Sequence, residues 1–473
     1  MKKILLLFIS TILISCNEKP RKSIIFIAID DFRNDLISDK SLTPNINNLI
    51  NDGVYFKNHY VQSPSCGPSR YSMIYSHYPR NYNETKNEVF TFNLNNGYKS
   101  KIEGLKLNDI KTILIGKISH SPDGYLYNYT EAVSNNPELP NSWSEIKNSY
   151  GKWKTGWNAF FGYSNGTNRN DLKNLSKPYE IADDSILLPD ELNKQLAIEK
   201  IIELKNSNED FMLSIGFYKP HLPFITKKSF YDKFDSLKLP TYPNEFIKPN
   251  KYYLNYHPSN EFNSYKLGDI KVQLDSILSF EYSQKLKKVY YSSASFIDQQ
   301  IGEILNTLKE NNLYENSMII IWSDHGFLLG EHNIWGKHTL FEEILNSPLI
   351  MKFPKSQERK IDSSKFGDLV IESIDIFPTI YDFYDISDYG YSDGKSIFKN
   401  INNDYAMSYF KNGGSIRSKG IRLTSYYDKE SQKNIDELYD IKDDKYQLDT
   451  IPKNSYNNLM FLKNKLIKNY KFN

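Results

Sequence analysis

The stretch Ser23-Ile24-Ile25-Phe26-Ile27-Ala28-Ile29-Asp30-Asp31 decides the fold. Ser23 to Ile29 is a continuous apolar run rather than an alternating one. It reads as a strand buried on both faces, as in parallel sheets. Its C-terminal end delivers two carboxylates, and ligands of open α/β sheets bind beyond such ends. The pattern recurs outward from there. Thr112–Ile115 leads into Gly116-Lys117, Phe211–Phe217 leads into Lys219-Pro220-His221, and Ser317–Trp322 leads into Ser323-Asp324-His325-Gly326. A fifth run, Pro348–Phe353, ends without polar groups. Between the runs, Thr43–Asp52 predicts a helix with Thr43 as N-cap and Pro44 at its first position. Phe280–Asn311 predicts a long amphipathic helix. The alternation predicts an α/β sheet covered by helices. Residues 140–190 and 225–275, rich in Asn, Gly, Pro, Ser and Tyr, are expected as long surface insertions that wall a site. From about residue 400 the character changes. Ser415–Tyr426 and Asp436–Asp444 predict short strands and Ser455–Lys468 a helix, hence a small C-terminal subdomain with an antiparallel sheet.

The chain has 473 residues, with 59 basic and 57 acidic side chains and a formal charge of +2. That balance argues against nucleic acid as a partner. The 36 Tyr and 27 Phe read as core plus biased composition. The segment Met1–Cys16 reads as a targeting signal: Lys2 and Lys3 at the start, then an apolar run, Ile4–Ile14, too short to span a bilayer. Its end, Leu13-Ile14-Ser15-Cys16, resembles a bacterial lipobox, which implies a lipid on Cys16. An exported lipoprotein, periplasmic or outer-membrane-anchored in a Gram-negative bacterium, is the expected location. Cys16 and Cys66 are the two cysteines. With Cys16 acylated, Cys66 has no disulfide partner, and a lone thiol in an oxidising compartment needs a chemical purpose. The expected layout is a signal at 1–16, a catalytic domain over 22–395 and the subdomain over 400–473.

Four strand ends deliver Asp30, Asp31, Lys117, His221, Asp324 and His325. Carboxylate oxygens gathered at one sheet edge suggest a hard divalent cation. Cys66 lies in Ser63-Pro64-Ser65-Cys66-Gly67-Pro68-Ser69-Arg70, just before a helix expected from Tyr71. This string resembles the formylglycine signature of type I sulfatases. Further motifs follow in family order: Gly116-Lys117-Ile118-Ser119-His120, Lys219-Pro220-His221, Ser323-Asp324-His325-Gly326, Leu329-Gly330-Glu331-His332 and Trp335-Gly336-Lys337. Asp393-Gly394-Lys395-Ser396 and Glu437-Leu438-Tyr439-Asp440 resemble its C-terminal marks. Tyr218-Lys219-Pro220-His221-Leu222-Pro223-Phe224, with His325 in place of the commoner Asn, is most similar to the iduronate-2-sulfatase branch.

The resemblance implies an alkaline-phosphatase/sulfatase-like fold, a large mixed sheet covered by helices. It implies Ca2+ held by Asp30, Asp31, Asp324 and His325, touched also by a formylglycine made from Cys66 by a formylglycine-generating enzyme. A nitrogen ligand departs from the oxygen shell usual for calcium. The hydrated aldehyde offers two hydroxyls: one attacks sulfur, and the other collapses to expel sulfate, a step unmodified Ser or Cys lacks. Lys117 and Lys337 would bind the substrate and neutralise developing charge. His221 would contact it and protonate the leaving alcohol, and Arg70 and His120 would orient the hydrate. The implied substrate is a sulfated carbohydrate, such as ulvan, carrageenan or glycosaminoglycan fragments. Rival readings are a phosphate or phosphonate ester hydrolase of the same superfold, an inactive sulfated-glycan-binding lipoprotein, and a thiol hydrolase using unmodified Cys66. His332 and His338 flank Lys337 as candidate substrate contacts. His59, His77 and His257 carry no motif and read as surface or structural, and Asp298 as a cap or bridge within its own helix.

Overall fold

The structure, a computed structural model of the chain, describes residues 21–471 apart from 94–97, 173–175, 236, 238, 243–244, 246–255, 266–271, 274–275, 359–365 and 400–402. Residues Met1–Cys16, expected as a targeting signal, lie outside the described residues. The main sheet has seven strands: β1 (Ser23–Ile29), β2 (Val54–Tyr55), β3 (Lys111–Gly116), β4 (Glu145–Lys147), β5 (Phe211–Phe217), β6 (Ser317–Ser323) and β7 (Leu349–Lys352). Their spatial order is β2-β7-β6-β1-β5-β3-β4. β6, β1, β5, β3 and β4 run parallel, and β7 is antiparallel to both its neighbours, so the sheet is mixed.

The apolar run of β1 follows from cover on both faces. Ile25, Ile27 and Ile29 pack with α1 (Pro44–Asn51), α3 (Pro189–Leu204) and α4 (Phe280–Glu310). Ile24, Phe26 and Ala28 pack with α2 (Cys66–Tyr75) and α5 (Ile376–Tyr384) on the other side. Each fully buried Ile contributes roughly 1.5–3 kcal/mol. Register then places the site. Ile29 pairs with both Phe217 and Ser323, so Asp30 emerges level with Tyr218 and Asp324. Gly116 pairs with Gly216, which brings Lys117 to the same edge.

Several sequence expectations are corrected. The 140–190 segment is not all insertion, since it supplies edge strand β4 and begins α3. Thr43 precedes α1 but its side chain caps nothing; Thr43 Oγ1 donates to Leu36 O at 3.1 Å. The cap comes from α4. Asp298 accepts from Asn45 N at 3.0 Å and Ile46 N at 2.8 Å, so it bridges two helices rather than serving its own. Burial pushes Asp298 up to about 6 against the pull of those donors.

The C-terminal part is a four-stranded antiparallel sheet: β8 (Tyr405–Phe410), β9 (Gly413–Ser418), β10 (Ile421–Asp428) and β11 (Lys433–Asp440). Ser415–Tyr426, within the stretch expected as short strands, falls across two of them, β9 and β10. Lys419 and Gly420 turn between them at φ 48° and 85°, backbone that glycine adopts without strain. Helix α6 (Leu459–Asn469) starts later than expected and packs Leu462 and Leu466 on Tyr409, Ile416, Leu423 and Leu438. No helix among the described residues is long and apolar enough to cross a membrane.

Candidate active site

Asp30 and Asp31 leave β1 at a turn in which Asp31 takes a left-handed conformation, φ 57°, a region Asp tolerates better than most residues. The turn is pinned from two sides. Asp31 N donates to Asp324 Oδ1 at 3.1 Å and Phe32 N to Ser323 Oγ at 3.1 Å. Tyr290 of α4 donates its hydroxyl to Asp31 O at 2.6 Å and accepts from Arg33 N at 3.1 Å. Both carboxylates are fully buried.

Helix α2 begins at Cys66 itself, not at Tyr71. One turn apart, Cys66 and Arg70 therefore share a face. Asn87 holds the helix entrance by accepting from Ser65 Oγ at 2.8 Å and Gly67 N at 3.0 Å. A Cβ on Gly67 would lie 2.6 Å from Asn87 Cα and O, so this close approach admits only glycine. Arg70 Nε donates to Asp324 Oδ2 at 2.8 Å, and Nη1 to Lys117 O at 2.7 Å. Lys117 Nζ donates to Asp30 Oδ2. Lys337 Nζ lies 2.9 Å from Asp31 Oδ1 and 3.2 Å from Cys66 Sγ, and Cys66 Sγ is 3.4 Å from Asp30 Oδ1. Burial works to raise Asp30, yet Lys117 and Arg70 hold it well below the usual carboxylate range. Burial pushes Asp31 well up despite Lys337. Burial and the Asp30 charge also push the Cys66 thiol well up, so the unmodified side chain is a protonated, weak nucleophile.

The residues present fit a hard divalent cation. Asp30, Asp31, Cys66 and His221 form one group, and Asp30, Cys66, Asp324 and His325 another; within each group the ligand atoms lie within 4.8 Å of one another. His325 Nδ1 faces Gly326 O at 2.9 Å and must donate to it. The Nε2 lone pair is thereby left buried with no hydrogen-bond partner among the described residues, 3.9 Å from Asp324 Oδ2. A buried acceptor without a donor is costly, and a cation among these carboxylates would relieve it.

His221 reaches the same cleft from the β5 end. Its Nδ1 donates to Leu222 O at 2.6 Å, which aims Nε2 at Asp31 Oδ2, 3.8 Å away. The loop carrying it is tied by Asp190, which accepts from Tyr218 N at 2.7 Å and Lys219 N at 3.1 Å. Burial and Lys337 pull His221 down to about 4 against the opposing Glu261. Glu261 was not foreseen from the sequence. Its carboxylate lies 3.1 Å from His221 Nε2 and 3.6 Å from Lys337 Nζ. Ser259-Asn260-Glu261 carries no motif, and only its tertiary placement beside His221 and Lys337 brings Glu261 to the site.

His120 is half-buried, edge-on to Trp157 with ring centroids 5.5 Å apart. Among the described residues it makes no hydrogen bond to Cys66 or Arg70. Burial and Lys117 hold it well below the usual imidazole range. His332 is not brought to the cleft. It stacks on Phe341, centroids 3.9 Å apart, and pairs with the Tyr256 hydroxyl at 2.9 Å. His338 is near: Glu261 is the main influence opposing the burial that pulls it down to about 3, and its ring stacks on Phe410. His257 accepts from Ser259 N at 3.1 Å, a structural contact in line with its expected reading, and its ring lies 6.3 Å from that of His338. His59, held between Ser347 O and Ser373 Oγ, is structural.

Comparison with known proteins gives a consistent answer. A family model described as Sulfatase matches residues 22–386, and one described as N-sulphoglucosamine sulphohydrolase, C-terminal, matches residues 330–470. The chain is 26% identical over 460 residues to a sulfatase of Formosa agariphila, covering 89% of this chain and 81% of the relative. It is 28% identical over 349 residues to iduronate 2-sulfatase of Mus musculus, covering 70% of this chain but only 59% of the relative's length. Among solved structures, one in complex with its substrate D-glucosamine-2-N,6-O-disulfate superposes with a TM-score of 0.65 at 18% identity, covering 95% of this chain and 97% of the other. A phosphonate monoester hydrolase from Silicibacter pomeroyi gives 0.69 at 20% identity, covering 94% of each. At such identity these two likenesses establish the fold, alkaline-phosphatase/sulfatase-like, and nothing further.

Proposed function

Because the chain belongs to the sulfatase family, whose members are sulfuric ester hydrolases, we propose that it removes sulfate from a sulfated sugar, with Cys66 converted to formylglycine and Ca2+ held by Asp30, Asp31, Asp324 and His325. One observation carries the reading. Cys66 lies within 3.4 Å of both Asp30 and Lys337, inside a set of three fully buried carboxylates and an imidazole nitrogen without a donor. The rival thiol hydrolase is disfavoured because Cys66 Sγ has Asp30 and Lys337, not an imidazole, as its hydrogen-bond partners among the described residues. The relatives' substrates, an iduronate sulfate and glucosamine sulfates by their names, support a sugar.

When bound, Ca2+ supplies Lewis-acid polarisation of the sulfate oxygens. The chain's own residues do the rest. Arg70 fixes Asp324 and the Lys117 backbone, and so sets the position of α2 and residue 66. Lys337 stands beside Cys66 and Lys117 beside its neighbour Asp30, and both neutralise charge on the transferring group. His221, with Nδ1 tied to a carbonyl, turns Nε2 towards the leaving oxygen, and Glu261, 3.1 Å from that nitrogen, favours its protonated form against the pull of burial. His120 closes the cleft beside Lys117 and Trp157.

The deciding experiment expresses the chain with a formylglycine-generating enzyme, weighs the Cys66 peptide and measures sulfate release from an aryl sulfate and sulfated oligosaccharides. An aldehyde at position 66, sulfate release lost in Cys66→Ala, and loss on chelation reversed by Ca2+ are expected. Turnover of phosphate or phosphonate esters alone would favour the rival hydrolase, and an unmodified thiol without turnover the binding lipoprotein. Lipid attachment at Cys16, with a periplasmic or outer-membrane location, belongs to the same proposal and is tested by the mass of the mature N-terminal peptide.

A further inference from the structure

Arg33, Arg70, Arg80 and Arg422 each pair with a carboxylate. Arg169 pairs with none among the described residues. It is half-buried, with its guanidinium carbon 3.6 Å from the centre of the Phe161 ring and 5.8 Å from that of Tyr265. Asp171, the nearest acid in sequence, instead accepts from Asn168 N at 2.9 Å, and Asn168 Oδ1 in turn accepts from Asn170 N at 2.7 Å. The loop is thus closed on itself, and the guanidinium is held by stacking on Phe161 and by the Tyr265 hydroxyl, with no carboxylate on its donor edge among the described residues.

That guanidinium stands beside the cleft already described. Phe161, on which it rests, also meets the His221 ring, centroids 6.0 Å apart, and Tyr129, centroids 5.6 Å apart. Arg169 and Glu261 both act electrostatically on Tyr129 and on Tyr265, and Lys337 also acts on Tyr265, so the guanidinium and the site's charged groups share these two aromatic neighbours. Stacking on an aromatic face holds a guanidinium with less entropy left to lose on binding, and its paired N–H groups match the two oxygens of a carboxylate or sulfate.

We propose that Arg169, seated on Phe161 beside His221, recognises a second anionic group, a carboxylate or a further sulfate, on the saccharide that carries the scissile sulfate. The inference rests on the sulfated-sugar reading and deepens it: the substrate class becomes a polyanionic saccharide. Arg169→Gln keeps much of the stem that packs on Phe161 and removes the charge, and Arg169→Lys keeps the charge without the fork. Both are compared with the wild type, matured at Cys66, on three substrates: an aryl sulfate, a sulfated saccharide bearing a uronate carboxylate, and a neutral saccharide bearing two sulfates. The readout is kcat/KM on each saccharide divided by kcat/KM on the aryl sulfate. Arg169→Gln is expected to lower that ratio ten- to hundredfold, roughly the worth of a charge-assisted bidentate contact, with partial recovery in Arg169→Lys. The saccharide whose ratio falls identifies the anion. A ratio unchanged within twofold, or equal losses on all three substrates, overturns the proposal. Calorimetric titration of the same saccharides separates this result from the parent reading. If the wild type releases no sulfate, the parent reading fails, while tighter binding of a saccharide by wild type than by Arg169→Gln upholds Arg169 as an anion site and equal affinity overturns it.

Discussion

Lys337 reaches Asp31, Cys66 and Glu261 at once. Burial alone would lower it, yet the Asp31 carboxylate beside it holds it well above the ordinary ammonium value. Lys337→Met, close in volume, is expected to lower kcat on an aryl sulfate about 10²–10³-fold, read by initial rates on protein whose residue 66 is shown by mass to be modified. Glu261 acts through His221, as a positioning residue. Glu261→Gln should lower kcat roughly tenfold or more while KM for the aryl sulfate moves little. Matched changes in KM and kcat would instead assign Glu261 to substrate binding. At this scale the sequence shows chemistry where strand ends deliver it. Asp30, Asp31, Lys117, His221, Asp324 and His325 all follow apolar runs, and the structure gathers them at one edge. Glu261 and Arg169 sit in segments without periodicity, so only tertiary closure reveals them. His332 failed because adjacency in sequence to Lys337 does not survive the turn that aims its ring at Phe341.

The helices show how local rules yield to partners from elsewhere. Thr43-Pro44 carries the usual signature of a helix start, but the backbone donors of α1 go to Asp298 in α4. Asp298→Ala is expected to cost about 2 kcal/mol of stability, from two lost bonds to a buried acceptor, measured by denaturant unfolding. A loss confined to a few tenths would mean water replaces the carboxylate. Long elements such as β1 and α4 are legible because periodicity accumulates along them. β2 and β4, with two and three residues, carry too little pattern and exist because an edge of the sheet is there to receive them. The start of α2 at Cys66 was likewise hidden, because the capping group is Asn87, outside the motif.

At the scale of the whole molecule, the C-terminal sheet is joined to the main body through Glu372. Its carboxylate accepts from Met407 N at 2.8 Å and Gln62 Nε2 at 3.2 Å, and takes the Tyr78 hydroxyl at 2.5 Å. Burial, with Asp375 adding to it, raises Glu372 to about 8 from an ordinary value of 4.5. The folded state therefore holds a proton that the unfolded chain releases. Stability from this group is full below about pH 4.5 and is lost as pH rises towards 8. Glu372→Gln is expected to flatten the fall in Tm between pH 5 and 8, on the order of a few kcal/mol at the upper end. An unchanged slope would place the pH dependence elsewhere.

Cys66 is 3% exposed, at the base of a cleft built from segments that lie hundreds of residues apart. No enzyme can grip that thiol once the sheet has closed. On the reading given above, conversion and folding are therefore rivals in time, and a chain that folds first is locked out permanently. A preparation would then be a mixture of live and dead molecules identical in shape. Its specific activity would record how fast the chains were made relative to the enzyme that converts them, more than any property of the finished site.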